Sequence, residues 1–376
     1  FFFSKQNKKK PSKHQYSSLV DKHNLAHSTQ RKKSTAIRAI NQEFIDESTI
    51  FKTPPLDKAN ITPVVPEGFL SFKVFTPKML GSKQQQVVSD IIQSFRKPHP
   101  LLFPLTQRTF EPNELFELIK TDAEITAKIL KAVNSSMFSV QKPITDIHHA
   151  IIYMGVGKVK SIALQCTMNK GVKFTDKAQN EAYNKLWKAS YLASSFCLLF
   201  AKETGENNPA ELATHCLLSY LGDLAILSYK PSLASYYLGN FTLFERTKVF
   251  QASLGINSAI IGKFLAQQWQ LPLSIESGIE HSILPLTNSM ASSDIPDDKL
   301  RQLLLCYLAC RLGDLVAFNG LNEVPALENV SFESLGKVEF YYTQKNIQNT
   351  DFTKINLIVA KPDFRKRINK IISKIN

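Results

Sequence analysis

Five cysteines, eight histidines and 32 acidic residues are the side chains with which this 376-residue chain could do thiol, metal or acid–base chemistry. The cysteines are Cys166, Cys197, Cys216, Cys306 and Cys310, all in apolar stretches. No two form a Cys-x-x-Cys pair. Cys306 and Cys310 share a helical face but have no flanking histidine pair to complete a zinc site. The pattern predicts buried, reduced thiols that pack as small apolar side chains. His148 and His149 are adjacent, so on a helix they point about 100° apart and do not easily share a metal, with or without the nearby Asp146. Gly155-Val156-Gly157-Lys158 lacks the spacing of a phosphate-binding loop and follows a helical pattern rather than a strand. Asn134 reads as a helix-end cap rather than a catalytic amide. No Ser/His/Asp or Cys/His arrangement can be argued from the spacing.

The elements that would position these residues are helical. Val87, Val88, Ile91, Ile92 and Phe95 repeat at helical spacing, and Lys97-Pro98-His99-Pro100 ends that helix. Pro112 sits at the first-turn position of a second, short helix. Thr121-Asp122-Ala123-Glu124 reads as a capping box ahead of Ile125, Ile129, Leu130 and Val133, with Asn134 at the helix end. Ile144–Met154 and Val156–Met168 are helical, with Gly155 and Gly157 as the break. A long amphipathic helix carries Leu186, Trp187, Leu192, Phe196 and Leu199. A Gly205–Pro209 loop leads into a very apolar helix from Ala210 to about Tyr229. Further helices are expected over Phe244–Gln268 and Leu300–Phe318. Only Phe69–Phe75 hints at period-two alternation. The last stretch places Phe364, Ile368, Ile371, Ile372 and Ile375 on one face and Arg365, Lys366, Arg367, Lys370 and Lys374 elsewhere. Such a basic amphipathic helix either lies on a membrane or docks on its own domain.

Composition bounds the rest. Apolar residues make up 43% and charged residues 21%, which is ample for a globular core. No apolar run approaches a spanning length of roughly 18 residues; the best lies around Leu192–Ala201. The chain is therefore expected to be soluble. It opens Phe1-Phe2-Phe3 without methionine, as a fragment or processed chain would. Residues 1–60 carry 12 basic and 5 acidic residues, half of the chain's net charge of +14. That segment has little apolar periodicity and is expected to be a disordered basic leader. Its clusters have no interleaved aromatics, so nucleic-acid or anionic-membrane contact through the basic tails stays a minor option.

Several phrases, in order, resemble HDOD domains. Asp122-Ala-Glu-Ile-Thr-Ala-Lys-Ile-Leu-Lys-Ala-Val-Asn134-Ser135 resembles the signature helix of that family. Ile144-Thr-Asp-Ile-His-His-Ala150-Ile-Ile-Tyr-Met-Gly155 is similar to the segment that follows it. Leu186-Trp187-Lys-Ala-Ser190, Leu217-Leu218-Ser-Tyr-Leu-Gly222, Ile256-Asn-Ser-Ala-Ile-Ile-Gly262 and Trp269-Gln-Leu-Pro272 stand where later landmarks occur. The resemblance covers roughly residues 98–315. It implies an all-α fold of two packed helical lobes and a bacterial, cytoplasmic signalling role. The expected organisation is a leader and linker over 1–80, the helical domain over 81–318, and an extension over 319–376 ending in the basic helix.

HDOD domains resemble HD-type metal phosphohydrolases, whose chemistry needs histidine and carboxylate ligands on a divalent metal. By that resemblance the ligand positions fall on Ala189, Ser219, Tyr220 and Cys310, a degenerate HD motif with none of the ligands. A displaced site would have to use His215, Asp223, His281 and Asp314; the plainer reading makes these separate polar residues. The expectation is a protein with no enzymatic activity and no cofactor, which binds a signalling protein partner or a small ligand in a groove between its lobes. Trp187, Tyr220 and Trp269 would suit such a groove, although both tryptophans read better as core. The rivals are a degenerate phosphohydrolase on the displaced ligands, and a basic adaptor for nucleic acid or anionic membrane.

Overall fold

The computed structural model of the chain describes residues 63–95, 98–107, 109–134, 140–168 and 176–373, and Thr62–Asn376 forms one compact unit. The proposed disordered leader up to residue 62 and Ser135 of the signature helix lie outside the described residues. Among the described residues there is no strand.

The first lobe is a stack of short helices. α1 (Ser82–Ser94) is followed by α2 (Leu102–Gln107), α3 (Pro112–Ile119), α4 (Ala123–Val133), α5 (Ile147–Met154) and α6 (Val156–Met168). The start of α4 is simpler than a capping box. Asp122 accepts from the Ile125 amide at 2.8 Å, and no side chain answers in return. Reciprocal boxes occur instead at Glu111 with Glu114 and at Thr242 with Glu245. Asn134 does more than end α4. Its amide group donates to the Leu130 and Ile144 carbonyls and accepts from the Ile144 amide, at 2.7–2.9 Å, which fixes the entry to α5. Gly155 breaks α5 from α6, whereas Gly157 lies inside α6.

The second lobe is built on α7 (Lys177–Thr204), α8 (Pro209–Leu218) and α14 (Asp297–Asn319), with α9 (Leu221–Tyr229), α10 (Ser235–Leu238), α11 (Leu243–Leu254), α12 (Ser258–Gln268) and α13 (Leu273–Glu280) around them. α7 is capped by Asp176 and closed by left-handed Gly205, so its 28 residues run about 42 Å. Glycines let helices cross closely. A Cβ on Gly313 of α14 would stand 2.9 Å from the Ala189 carbonyl of α7, and one on Gly222 of α9 only 1.8 Å from the Ser258 carbonyl of α12.

Three expectations about elements change. The apolar stretch 210–229 is interrupted at Ser219–Tyr220, which divides α8 from α9. Pro209–Tyr229 is nevertheless apolar and long enough, at 21 residues, to meet a spanning criterion that no run was expected to approach; 72% of its most apolar window is buried within the fold, as in a core helix. The single helix over 244–268 is two, α11 and α12, bent by 72°. Gly255, at φ 71°, ends the first, and Asn257 caps the second by accepting from the Ile260 amide. Phe69–Phe75 forms a turn followed by an irregular stretch rather than a strand. Side-chain amides bond its backbone: Gln251 bonds Phe75 N and Lys73 O, and Asn257 bonds Phe75 O.

Residues 320–373 continue the same core through α15 (Phe332–Leu335), α16 (Thr343–Asn349), α17 (Lys354–Val359) and α18 (Pro362–Ile372). α18 is the basic amphipathic helix. Phe364, Ile368 and Ile372 are buried, Phe364 lies 4.9 Å from the Phe200 ring of α7, and Arg367 pairs with Glu203. The described part of its apolar face, through Ile372, is docked on its own domain, and Lys374 and Ile375 lie outside the described residues.

Candidate functional site: a self-neutralised charge centre and a neighbouring pocket

The junction between α8 and α9 sets the geometry. Ser219 turns back and donates to the His215 carbonyl at 2.7 Å. Tyr220 points inward and is buried; its hydroxyl donates to Asp314 Oδ1 at 2.7 Å and contacts the Cys310 carbonyl at 3.1 Å. Ser219, Tyr220 and Cys310 line one small cavity, while Ala189 is fully buried on α7. Asp314 is the hub of this centre. Its Oδ2 pairs with Arg311 Nη2 at 3.2 Å and Arg246 Nη2 at 3.4 Å, and all three side chains are buried. Arg246 comes from α11, donates to the Phe241 carbonyl, and lies over the Phe318 ring at 4.6 Å.

Two further carboxyls border the centre. Asp223 accepts from the Tyr237 hydroxyl at 2.8 Å. Burial pushes its pKa up, and Arg246 and the tyrosine only partly oppose that. Glu339 arrives from the C-terminal segment, held where Tyr307 donates to its carbonyl at 2.6 Å. Burial likewise pushes the Glu339 carboxyl up. Burial disfavours charge on Arg311 as well, but Asp314 and the neighbouring phenols outweigh it and raise its pKa, so it stays protonated. Arg246 Nε, Arg311 Nε and Nη1, and Glu339 Oε2 are buried without a hydrogen-bond partner. Two cavities of about 20 Å³ flank these atoms, each room for roughly one water.

A divalent metal does not fit this centre. Ala189, Ser219, Tyr220 and Cys310, the positions that the HDOD resemblance points to, supply a methyl group, a hydroxyl bonded to a helix carbonyl, a phenol committed to Asp314, and a thiol. Two guanidinium groups already share the carboxylate hub, so an added cation would meet like charge in a water-poor site.

The displaced ligand set separates into two pairs. Asp223 and Asp314 border the charge centre. His215 and His281 line a different pocket of about 330 Å³ between α8, α13 and α14, together with Glu211, Ser277, Gln302 and Cys306. The His215 ring rests against Gly278, where a Cβ would come within 2.9 Å, and its Nε2 is buried without a hydrogen bond although Glu211 lies 3.7 Å away. His281 Nδ1 is 2.8 Å from the Ser277 carbonyl. Neither tryptophan borders this pocket. Trp187 is half-buried, and Trp269, also half-buried, stacks on Phe95.

Asp122 and Asn134 of the signature helix act as structural caps, and Asp122 also pairs with His99 at 3.0 Å. Arg246, Tyr237, Arg311 and Glu339 escaped the spacing argument. One signal was available: Arg311 and Asp314, three residues apart inside the otherwise apolar run Leu303–Phe318, make a buried pair that only a special environment tolerates.

The HDOD domain family matches residues 101–285, which span the signature helix, the α8–α9 junction and the α8 and α13 walls of the histidine pocket, including His215 and His281. The chain carries an HDOD domain. Its fold is that of an HDOD domain protein of unknown function from Geobacter sulfurreducens, at a TM-score of 0.54 and 17% identity, covering 78% of this chain and 98% of that one. A Marinobacter aquaeolei protein, provisionally named a signal transduction protein, gives a TM-score of 0.51 at 16% identity over 78% of this chain and 65% of that one. A Shewanella amazonensis protein, provisionally named a phosphohydrolase, gives 0.50 at 15% identity over 76% and 98%. An uncharacterized protein of Treponema pallidum is 25% identical over 181 residues; the match takes in 46% of this chain and about a third of that relative's length. Arg311, Asp314 and Glu339 lie beyond the matched HDOD residues, so the segment after 285 completes the charge centre.

Proposed function

We propose that this HDOD domain is a non-catalytic regulatory module of a bacterial, cytoplasmic signalling system, which binds a small polar ligand or a side chain of a partner protein without turning it over. The observation that carries the reading is the three-way tie of Asp314 to Tyr220, Arg246 and Arg311. In a hydrolase of the HD type that region must leave carboxylate and imidazole lone pairs free for a metal. Here the Asp314 carboxyl group is saturated by two guanidinium groups and a phenol. A separate concave surface is the pocket between α8, α13 and α14, whose Glu211, His215, Ser277, His281 and Gln302 offer convergent polar contacts within a volume suited to a small molecule.

The test pairs turnover with binding. The full chain, incubated with Mn2+ and a phosphodiester substrate, is expected to show no hydrolysis beyond that of buffer with metal. A panel of nucleotides and cyclic dinucleotides is then screened by the unfolding midpoint. A ligand that raises it for the parent chain and not for His281→Ala supports the pocket. Mn2+-dependent turnover abolished by Asp223→Asn or His281→Ala would overturn the non-catalytic reading.

A further inference from the structure

Three of the five cysteines converge from distant parts of the chain. Cys197 of α7, Cys216 of α8 and Cys306 of α14 place their sulfurs all within 4.8 Å of one another. The Cys197 and Cys306 Sγ atoms are 3.9 Å apart. Zinc–thiolate bonds of about 2.3 Å require sulfurs about 3.8–4.0 Å apart, in tetrahedral or trigonal arrangement. The described spacing is therefore already close to what one ion would need. The thiols otherwise have only weak partners: Cys216 faces the Cys306 carbonyl at 3.6 Å and Cys306 the Leu212 carbonyl at 3.7 Å.

Access and the surroundings fit as well. Cys197 and Cys216 are fully buried, but Cys306 is partly exposed on the wall of the histidine pocket, which gives an ion a way in. The pocket lining is mixed in charge, with His215, His281 and Lys299 beside Glu211 and Asp294, so the net single negative charge that three thiolates leave on a divalent ion meets cationic as well as acidic neighbours. Because α7, α8 and α14 are the central helices of the second lobe, such an ion would tie its core together.

We propose that Cys197, Cys216 and Cys306 form a three-thiolate site for one Zn2+ ion, entered from the pocket at Cys306, with the fourth bond open on that side. Each ligating thiol releases its proton to solvent as the ion binds. The site uses none of the degenerate HD positions as a ligand, although the Cys310 thiol lies 4.0 Å from the Cys216 carbonyl, and it does not depend on the regulatory reading. Soft thiolates select Zn2+ over Mg2+ or Ca2+.

The test uses the full chain, reduced and stripped of metal with a chelator. Titration with Cd2+ is expected to raise a sulfur-to-cadmium charge-transfer band that saturates at about one equivalent and is displaced by Zn2+. Saturating Zn2+ should raise the unfolding midpoint. Cys197→Ala, Cys216→Ala and Cys306→Ala should each weaken binding at least about 100-fold, the upper end of what loss of even an outer-shell partner costs. Cys166→Ala should bind as the parent does. If the two fully buried replacements fail to fold, Cys306→Ala at the pocket wall and the parent titration still decide the matter. Absence of a one-equivalent band, or parent-like affinity in Cys306→Ala, overturns the site and leaves the three thiols as small core residues.

Discussion

Replacing Asp314 by asparagine keeps the shape of the hub and removes its charge. In the parent, one carboxylate holds Arg311 at 3.2 Å, Arg246 at 3.4 Å and the Tyr220 hydroxyl at 2.7 Å, with both arginines about 95% buried. Asp314→Asn leaves two buried guanidinium groups facing each other without compensation. Removing one partner of a buried pair costs about 3–5 kcal/mol. A partial rescue is built in. Burial holds the Glu339 carboxyl above its usual range while Arg246 and Arg311 pull it down. Once Asp314 is neutral, the Glu339 carboxyl is an acidic group left beside both arginines, and their attraction to it should offset part of the loss. The expected net loss is about 3 kcal/mol in urea unfolding followed by far-UV circular dichroism at neutral pH. Glu339→Gln alone should cost little, whereas the double variant should lose about 1 kcal/mol or more beyond the sum. A loss under about 1 kcal/mol for Asp314→Asn, or strict additivity, would refute the picture of a hub that neutralises two arginines.

Asp223 gives a pH test. Its folded-state pKa is raised from 3.8 by burial, so ionisation is easier in the unfolded chain. Its contribution to stability is full below the unfolded value and is lost as pH rises through the folded one. The stability of Asp223→Asn relative to the parent should therefore improve as pH rises from about 4; a flat or opposite difference would sink the assignment. Gly222→Ala tests the α9–α12 crossing: its new Cβ would stand 1.8 Å from the Ser258 carbonyl and 2.9 Å from Gly262 N, both backbone atoms. The expected loss is about 3 kcal/mol or more, and a change below about 1 kcal/mol would mean that the helices do not cross so closely.

Much of the fold was legible because local rules decide it. The periodic apolar faces of α1 and α4, the strongly apolar run of α14 and the cap at Asn134 follow from side-chain spacing and end chemistry within a few residues. Gly255 and Asn257 carried the signal for the α11–α12 bend, a left-handed glycine and a cap two residues apart, but the continuous apolar pattern around them masked it. The break at Ser219–Tyr220 had no such marker. Neither residue is a helix breaker; the interruption goes with the burial of the Tyr220 side chain, whose hydroxyl bonds a helix ninety-four residues further along.

The amino-acid sequence by itself determined the helical class and the HDOD resemblance. The resemblance further implied that Ala189, Ser219, Tyr220 and Cys310 stand where HD enzymes carry ligands; composition, period and motif order are properties of neighbours along the chain. Only the tertiary structure decided how four polar candidates divide into an aspartate pair and a histidine pair. It alone brought Arg246, Arg311 and Glu339 around Asp314, and drew Cys197, Cys216 and Cys306 together. Charge neutralisation and shared coordination depend on distances of 2–5 Å between atoms. For residues tens of positions apart, helix packing sets those distances, and no local pattern in the chain records them.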